Sequence, residues 1–139
     1  MRDHPKLRAF ELADQLAVAI YKATRSFPRE ERFGLTSQLR RATVSVASNI
    51  VEGSARFSEA EYLHFLDIAY GSAREVEYQA GLASRLRFLA EPSHRELGAL
   101  SLETCKVLNG LRIVLWKTGS RAGLYSAAAS SRPGSMERK

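Results

Sequence analysis

The stretch LRRATVSVASNIVEGSAR, from Leu39 to Arg56, has the spacing of an amphipathic helix but carries polar residues among its small and apolar ones. Its apolar positions recur every three or four residues, which is the period of one helix face. Asn49 falls on that face, and a buried amide needs hydrogen-bond partners because an unpaired one costs about 1–3 kcal/mol. The stretch therefore predicts a packed helix that is aligned by polar contacts. Its predicted core face comprises Leu35, Leu39, Ala42, Val46, Asn49 and Gly53.

Three further segments have the same helical period, and no segment shows the sustained alternation of a strand. The four helical segments cover approximately residues 7–26, 35–52, 58–88 and 93–118. The predicted core face of the first segment comprises Phe10, Ala13, Ala17, Ile20, Thr24 and Phe27, and that of the third comprises Tyr62, Leu66, Ala69, Ala73, Val76, Ala80 and Ala83. Pro28 separates the first two, while Ser58 and Ser93 are predicted N-caps because a glutamate follows each three residues later. Four long helices joined by short loops predict an all-α fold, an antiparallel up-down-up-down four-helix bundle.

The chain of 139 residues divides into a predicted bundle domain, residues 1–118, and a tail, residues 119–139. The tail is rich in Ser, Ala and Gly and lacks a periodic apolar face, so we expect it to be flexible. It carries +3 of the chain's net charge of +6, which leaves the bundle domain only mildly basic. Total charge is therefore weak evidence for a nucleic-acid partner.

The composition also predicts the compartment. A single cysteine, Cys105, cannot form an internal disulfide and suits a reducing cytosol. The first ten residues, MRDHPKLRAF, are charged where a signal peptide would be apolar. No stretch approaches the roughly 20 apolar residues of a membrane span. We expect a cytoplasmic protein without a membrane segment.

Polar residues on the second and third helices predict a network between them. Small residues on both helices would let the backbones approach closely, so that polar side chains could bond across the gap. Such a network fixes the register of helices, as a single polar core residue does in coiled coils. Its predicted members are Ser45, Asn49, Glu52, Ser72 and Glu75.

A second apolar stripe on the first helix predicts a subunit contact in a homo-oligomer. It consists of Leu12, Leu16, Ala19 and Ala23 and lies about 100° around the helix from the first stripe. The alternative is a wide core face within one chain, since bundle helices can use three positions in seven.

The strongest functional signal is a basic segment around the first interhelical turn. Between Lys22 and Arg41 there are six basic residues but only two acidic ones, Glu30 and Glu31. Arginine holds phosphate through its planar fork, and a basic surface attracts polyanions through counterion release. The alternative is an ordinary solvated face on which the two glutamates pair locally. The candidate nucleic-acid-binding residues are Arg25, Arg29, Arg32, Arg40 and Arg41.

Catalytic and metal-binding patterns are weak. Glu61–His64 and Glu91–His94 both match the Glu-x-x-His pattern of di-iron bundles. However, helical spacing directs His64 away from the core face, and the second copy falls in a predicted loop. Cys105 has no basic partner that would make it a nucleophile. We therefore expect no catalytic residue, no cofactor and no metal.

The segment YKATRSFPREERFGLTSQLRRATVSVASNIVEGSARFSEAEYLHFLDIAYGSAREVEYQ, residues 21–79, closely resembles the bacterial four helix bundle protein family, also called 23S ribosomal RNA intervening-sequence proteins. The element SNIVEG at residues 48–53 is its most specific feature, and Tyr70 departs from the family pattern. The resemblance implies a small cytosolic bundle that assembles as a ring, commonly a homopentamer, without an established enzymatic activity. It also implies kinship with accessory proteins of diversity-generating retroelements, which bind nucleic acid and a reverse transcriptase.

Together these patterns predict a non-enzymatic, homo-oligomeric binding or scaffold protein with RNA or DNA as its ligand. One alternative is a protein–protein adaptor whose basic face meets an acidic partner. The alternative from a different class is a metal-dependent bundle enzyme that uses the carboxylates and His64.

Overall fold

A computed structural model of the chain describes the backbone of residues 4–137 and the side chains of residues 4–119. Four α-helices follow one another: α1 (His4–Thr24), α2 (Leu35–Ser54), α3 (Glu59–Arg85) and α4 (Glu91–Glu137). A single 3-10 turn, Arg29–Glu31, lies between α1 and α2. No strand occurs in this part of the chain. The predicted all-α fold is confirmed.

The helices are arranged as an antiparallel bundle. Each helix packs against the one that follows it, and α4 returns to pack against α1. The diagonal pairs α1–α3 and α2–α4 stay farther apart, and across the described residues their backbones do not approach within 8 Å. Short turns between neighbouring helices give the up-down-up-down order. The α1–α2 and α3–α4 turns consequently lie at one end of the bundle, and the α2–α3 turn lies at the other.

Most helix ends follow from local residues. Pro28 disfavours a helical conformation at Phe27, and α1 ends at Thr24. The Ser58 hydroxyl accepts a hydrogen bond from the Glu61 amide at 3.1 Å, so the predicted cap of α3 is confirmed. The predicted cap at Ser93 is wrong, because α4 already begins at Glu91. Pro92 suits the first helical turn, where its missing N–H would have no partner.

The core confirms the predicted face of α3 at every position. All seven side chains are buried: Tyr62, Leu66, Ala69, Ala73, Val76, Ala80 and Ala83. On α2, by contrast, the prediction that Asn49 lies in the core is wrong. Ile50 is buried in its place, and Asn49 is only half-buried. From Val46, a step of four residues rotates the helix by about 40° to one side and a step of three by about 60° to the other, and the buried face follows the step of four to Ile50.

The second apolar stripe of α1 lies in the core of the single chain. Leu12 and Leu16 are buried, and Ala19 and Ala23 pack against the same apolar cluster as Leu16. The wide core face is therefore observed. Leu12 and Leu16 cannot form the predicted subunit contact, because the chain's own helices already cover them.

The predicted flexible tail, residues 119–139, lies almost wholly outside the residues whose side chains are described. The helix α4 is assigned as far as Glu137. Among the described helices, none combines the length and the apolar character that crossing a bilayer requires.

The helix α3 ends in a Schellman motif whose left-handed position is held by an arginine. The Phe88 amide donates to the Ala83 carbonyl at 2.8 Å, and the Arg87 amide donates to the Ser84 carbonyl at 3.0 Å. Arg87 adopts a φ of 66°, a region that glycine occupies without steric cost. The turn that follows α3 therefore carries local strain at an exposed, positively charged residue.

Replacing Arg87 with glycine should stabilise the protein. We expect the Arg87→Gly variant to gain about 1 kcal/mol in free energy of unfolding, since it removes the left-handed strain. Urea denaturation followed by circular dichroism measures this change. The matched control is Arg85→Gly in the last turn of α3, which should lose up to about 1 kcal/mol because glycine is a poor helix former. A loss of stability in both variants would contradict the strain at Arg87.

Candidate nucleic-acid interface

The α1–α2 turn is built on two anchors. Phe27 is 8% exposed, and its ring lies 5.7 Å from that of Phe88 in the α3–α4 turn. The Glu31 carboxylate accepts a hydrogen bond from the Leu35 amide at 2.9 Å, which caps the start of α2. Glu31 therefore serves the helix end, and it forms no ion pair among the described residues. Glu30 likewise forms no ion pair among the described residues, so the alternative in which these two glutamates pair with neighbouring arginines is not observed.

Four of the five predicted arginines are exposed at this turn. None of Arg25, Arg29, Arg32 and Arg41 pairs with a carboxylate within residues 4–119. Arg41 donates to the Gln38 amide oxygen at 2.8 Å, and the Arg32 guanidinium lies 5.4 Å from the centre of its neighbour's ring, Phe33. These cations are available to an anionic partner.

The fifth arginine, Arg40, is bound to the fold. Its Nε donates to the Thr24 hydroxyl at 2.8 Å, and its guanidinium lies 4.6 Å from the centre of the Tyr21 ring. Thr24 is itself buried and donates to the Ile20 carbonyl at 2.8 Å. Arg40 thus joins α2 to the last turn of α1, and its nucleic-acid role predicted from the sequence competes with a structural one.

The two adjacent arginines should respond differently to truncation. We expect Arg40→Ala to lower the free energy of unfolding by about 1–2 kcal/mol, because it removes a charged hydrogen bond and a cation–π contact. Arg41→Ala is the matched control and should change it by less than about 0.5 kcal/mol. Urea denaturation of both variants provides the comparison. Equal stability of the two would contradict the structural role of Arg40.

The fold brings a second basic segment to the same end. Arg85 is the last residue of α3, Arg87 lies in the turn that follows, and Arg95 lies in the first turns of α4, where it pairs with Glu91 at 3.3 Å. Sequence spacing does not indicate these residues, because only the antiparallel topology places them beside the α1–α2 turn. We call this region the basic end. Its nine basic residues are Lys22, Arg25, Arg29, Arg32, Arg40, Arg41, Arg85, Arg87 and Arg95, and its four acidic residues are Glu30, Glu31, Glu91 and Glu96.

The opposite end carries charges of both signs. The segment from Glu52 to Asp67, which spans the α2–α3 turn, contains four carboxylates and one arginine. Arg56 pairs there with Glu52 at 2.6 Å. Lys6 of α1 and Arg112 of α4 lie at the same end and offset the remaining carboxylates, and Arg112 pairs with Asp67 at 2.9 Å. The bundle is electrostatically asymmetric, because one end has an excess of positive charge and the other does not. Such an asymmetry orients an approaching polyanion toward one end.

Part of the predicted polar network forms between α2 and α3. The hydroxyls of Ser45 and Ser72 lie 2.8 Å apart, and the Asn49 amide donates to the Ser45 hydroxyl at 3.0 Å and to its carbonyl at 2.8 Å. The two glutamates do not join it. Both residues are exposed to water. Glu52 pairs instead with Arg56, and Glu75 accepts a hydrogen bond from Gln79 at 3.4 Å.

The Glu-x-x-His segments do not come together. His64 and Glu61 are exposed on α3, as the helical spacing predicts for His64. The segment Glu91–His94 forms the first turn of α4 and not a loop, which corrects the sequence prediction. Over the described residues, no three His, Cys, Asp or Glu side chains converge in a way that would hold a metal ion.

Cys105 is a packed thiol. It is buried among core residues, and burial raises its pKa from the usual value near 9.0 to about 11, with Glu77 acting in the same direction. We expect a thiol reagent at pH 8 to label the folded protein far more slowly than the urea-unfolded chain. The folded thiol contributes about 100-fold less thiolate at that pH. Equal labelling rates would contradict this packing.

A family model confirms the resemblance. The model described as "23S rRNA-intervening sequence protein" matches residues 5–110 of this chain. The chain belongs to this family. The match to the 23S rRNA-intervening sequence proteins covers nearly all of α1, the whole of α2 and α3, and α4 as far as Gly110.

A solved structure shares the fold. A protein of unknown function from the S23 ribosomal protein family of Bacteroides thetaiotaomicron superposes with a TM-score of 0.71. The two sequences are 23% identical, and the match covers 78% of this chain and 97% of the other. At this identity the likeness concerns the bundle alone. No curated protein matches the sequence.

Proposed function

We propose that this chain is a non-enzymatic binding protein whose basic end holds RNA or DNA through its phosphates. The observation that supports it most is the clustering of nine basic and four acidic residues at one end of the bundle. Four of these arginines are exposed at the α1–α2 turn and engage no carboxylate in the described chain.

The scaffold of the basic end supports this role. The two turns are held together by the packing of Phe27 on Phe88, so the backbone positions that carry their cations are fixed relative to one another. Arg87 occupies a left-handed position that favours glycine, and a charge kept at a conformational cost is typical of a functional surface. An ordered backbone reduces the conformational entropy that binding several phosphates would cost, and each guanidinium can hold a phosphate through two hydrogen bonds.

Salt dependence tests the proposal. The probe is a fluorescein-labelled single-stranded oligonucleotide, titrated with the full chain and followed by fluorescence anisotropy. The affinity should fall linearly on a log–log scale between about 0.05 and 0.2 M salt, because bound phosphates release counterions. Binding that is absent, or insensitive to salt, would contradict the proposal and favour a protein–protein adaptor.

We also propose that the chain self-associates, with a pentamer as the assembly that the family resemblance implies. The surface that supports this lies on α4, since Leu12 and Leu16 are covered in the single chain. Ile113 and Trp116 line a groove on the α3–α4 face, and Trp116 is 62% exposed. Light scattering should give a mass several times the 15.5 kDa of one chain. A monomer at micromolar concentration would contradict it.

A further inference from the structure

We propose that Phe33 is a stacking platform for an unpaired base, so that the basic end takes single-stranded nucleic acid in preference to duplex. This inference rests on the proposed function, because it assumes that the surrounding arginines bind phosphates. It adds a residue that contacts an unpaired base, whereas the arginines contact the phosphate charges.

The exposure of Phe33 has no explanation in the packing of the bundle. Its side chain is 87% exposed, whereas Phe27, six residues earlier, is buried against Phe88. A single exposed apolar side chain is common on proteins, so exposure alone assigns no role. The surroundings distinguish Phe33 from an ordinary surface residue.

Phe33 lies among exposed arginines. The Arg32 guanidinium is 5.4 Å from its ring centre, and Arg29 is exposed on the same turn. Aromatic rings beside a basic backbone-binding surface are the chemistry of single-strand recognition, in which a base stacks on the ring while cations hold the phosphates. Every base has a flat face, so this contact tolerates any sequence.

The backbone around Phe33 is fixed although its ring is exposed. The Arg32 amide donates to the Arg29 carbonyl at 3.1 Å, and the Gly34 amide donates to the Glu31 carbonyl at 2.9 Å. The cap from Glu31 to Leu35 holds the next residue. A ring presented from an ordered turn needs little reorganisation to accept a base.

The position also explains the preference for single strands. Phe33 is exposed at the end of the bundle, between the 3-10 turn and α2. The bases of a duplex present only their edges in the grooves, because their faces are stacked on one another. An unpaired base exposes its face to the ring.

The experiment compares probes that share a phosphate backbone but differ in their bases. Fluorescein-labelled oligo(dT), oligo(U), an abasic strand and a duplex, each of about 12 nucleotides or base pairs, are titrated with the full chain. Phe33→Ala should weaken binding of oligo(dT) and oligo(U) about 10-fold, which is the effect of losing one base–aromatic stack. Binding of the abasic strand and of the duplex should stay unchanged.

Two further variants control for folding and for apolar surface. Phe33→Trp should retain the affinity for oligo(dT), and its fluorescence should be quenched on binding beyond that of the wild-type chain, whose single tryptophan is Trp116. Phe57→Ala removes a fully exposed ring from the α2–α3 turn at the opposite end and should leave binding unchanged.

The failures are distinguishable. An equal loss on the abasic strand and on oligo(dT) in Phe33→Ala, or no loss on either, would overturn the stacking contact while the proposed function stands. If a polyglutamate peptide binds as tightly as oligo(dT) and loses as much on Phe33→Ala, the ring contacts acidic protein and the inference is overturned. If no probe binds the wild-type chain, the proposed function fails first.

Discussion

Reversing the charge of Arg25, Arg29 and Arg41 together is expected to weaken oligonucleotide binding on the order of 100-fold or more at low salt. The three side chains are exposed and contact no aromatic ring, so their replacement by glutamate leaves Phe33 and its neighbour Arg32 in place. The net charge of the basic end changes from +5 to −1. An end that attracted phosphate would then repel it. Fluorescence anisotropy at fixed salt measures the loss.

The matched control reverses three exposed basic residues elsewhere: Arg8, Lys106 and Lys117. Both triple variants change the total charge by the same amount, and they differ in where the change lies. The control should reduce affinity much less than the basic-end variant, because these residues lie away from the two turns. Similar losses in both variants would contradict a localised binding surface and indicate that only the total charge matters.

Gly53→Ala should be strongly destabilising and should cost about 2–3 kcal/mol in free energy of unfolding. A Cβ atom at this position would lie 2.7 Å from Cδ1 of Tyr62 and 2.9 Å from Cβ of Phe65. The Cβ of Phe65 is fixed to the backbone of α3 and cannot rotate away. The ends of α2 and α3 would therefore have to separate, which disturbs the buried packing of Tyr62. Urea denaturation measures the change.

Gly71→Ala provides the control for this prediction. Gly71 lies in the middle of α3, and an added Cβ would meet nothing within 4 Å. The same substitution should there raise stability by up to about 1 kcal/mol, since alanine favours a helix more than glycine does. The change in free energy of unfolding should therefore have opposite signs at the two glycines, because of the two only Gly53 lies where α2 and α3 approach closely. A stabilised Gly53→Ala variant would contradict that contact.

Hydrophobic spacing was sufficient to predict the architecture, because the helices are long and each has one clear apolar face. The face of α3 was correct at every position, since small and apolar residues recur on it without interruption. On α2 the same reasoning placed Asn49 in the core where Ile50 lies. Steps of three and of four residues from Val46 are both compatible with a helical face, so spacing alone did not decide between Asn49 and Ile50.

The role of the second stripe on α1 depended on packing that spacing does not contain. Leu12 and Leu16 could have met a second subunit or the chain's own helices, and the crossing of α1 with its neighbours covers them within one chain. The full extent of the basic end also depended on packing that the sequence spacing does not contain. Arg85 and Arg87 are remote in sequence from Arg29, and only the antiparallel order of the helices brings the two turns to one end.

Local contacts divided the five predicted arginines. Arg40 and Arg41 are adjacent and chemically identical, yet the turn of the helix directs Arg40 onto Tyr21 and Thr24 and leaves Arg41 in water. Phe27 continues the helical spacing of the first segment's core face, and its predicted burial is observed. No spacing in the sequence predicts the exposure of Phe33.

Hydrogen–deuterium exchange of the full chain, with and without a saturating single-stranded oligonucleotide, locates the nucleic-acid contact without altering any residue. We expect slower exchange in peptides that span residues 22–41 and 85–95, and unchanged exchange in the α2–α3 segment, residues 52–67. Protection of residues 52–67, or of neither end, would contradict the assignment of the basic end as the nucleic-acid interface.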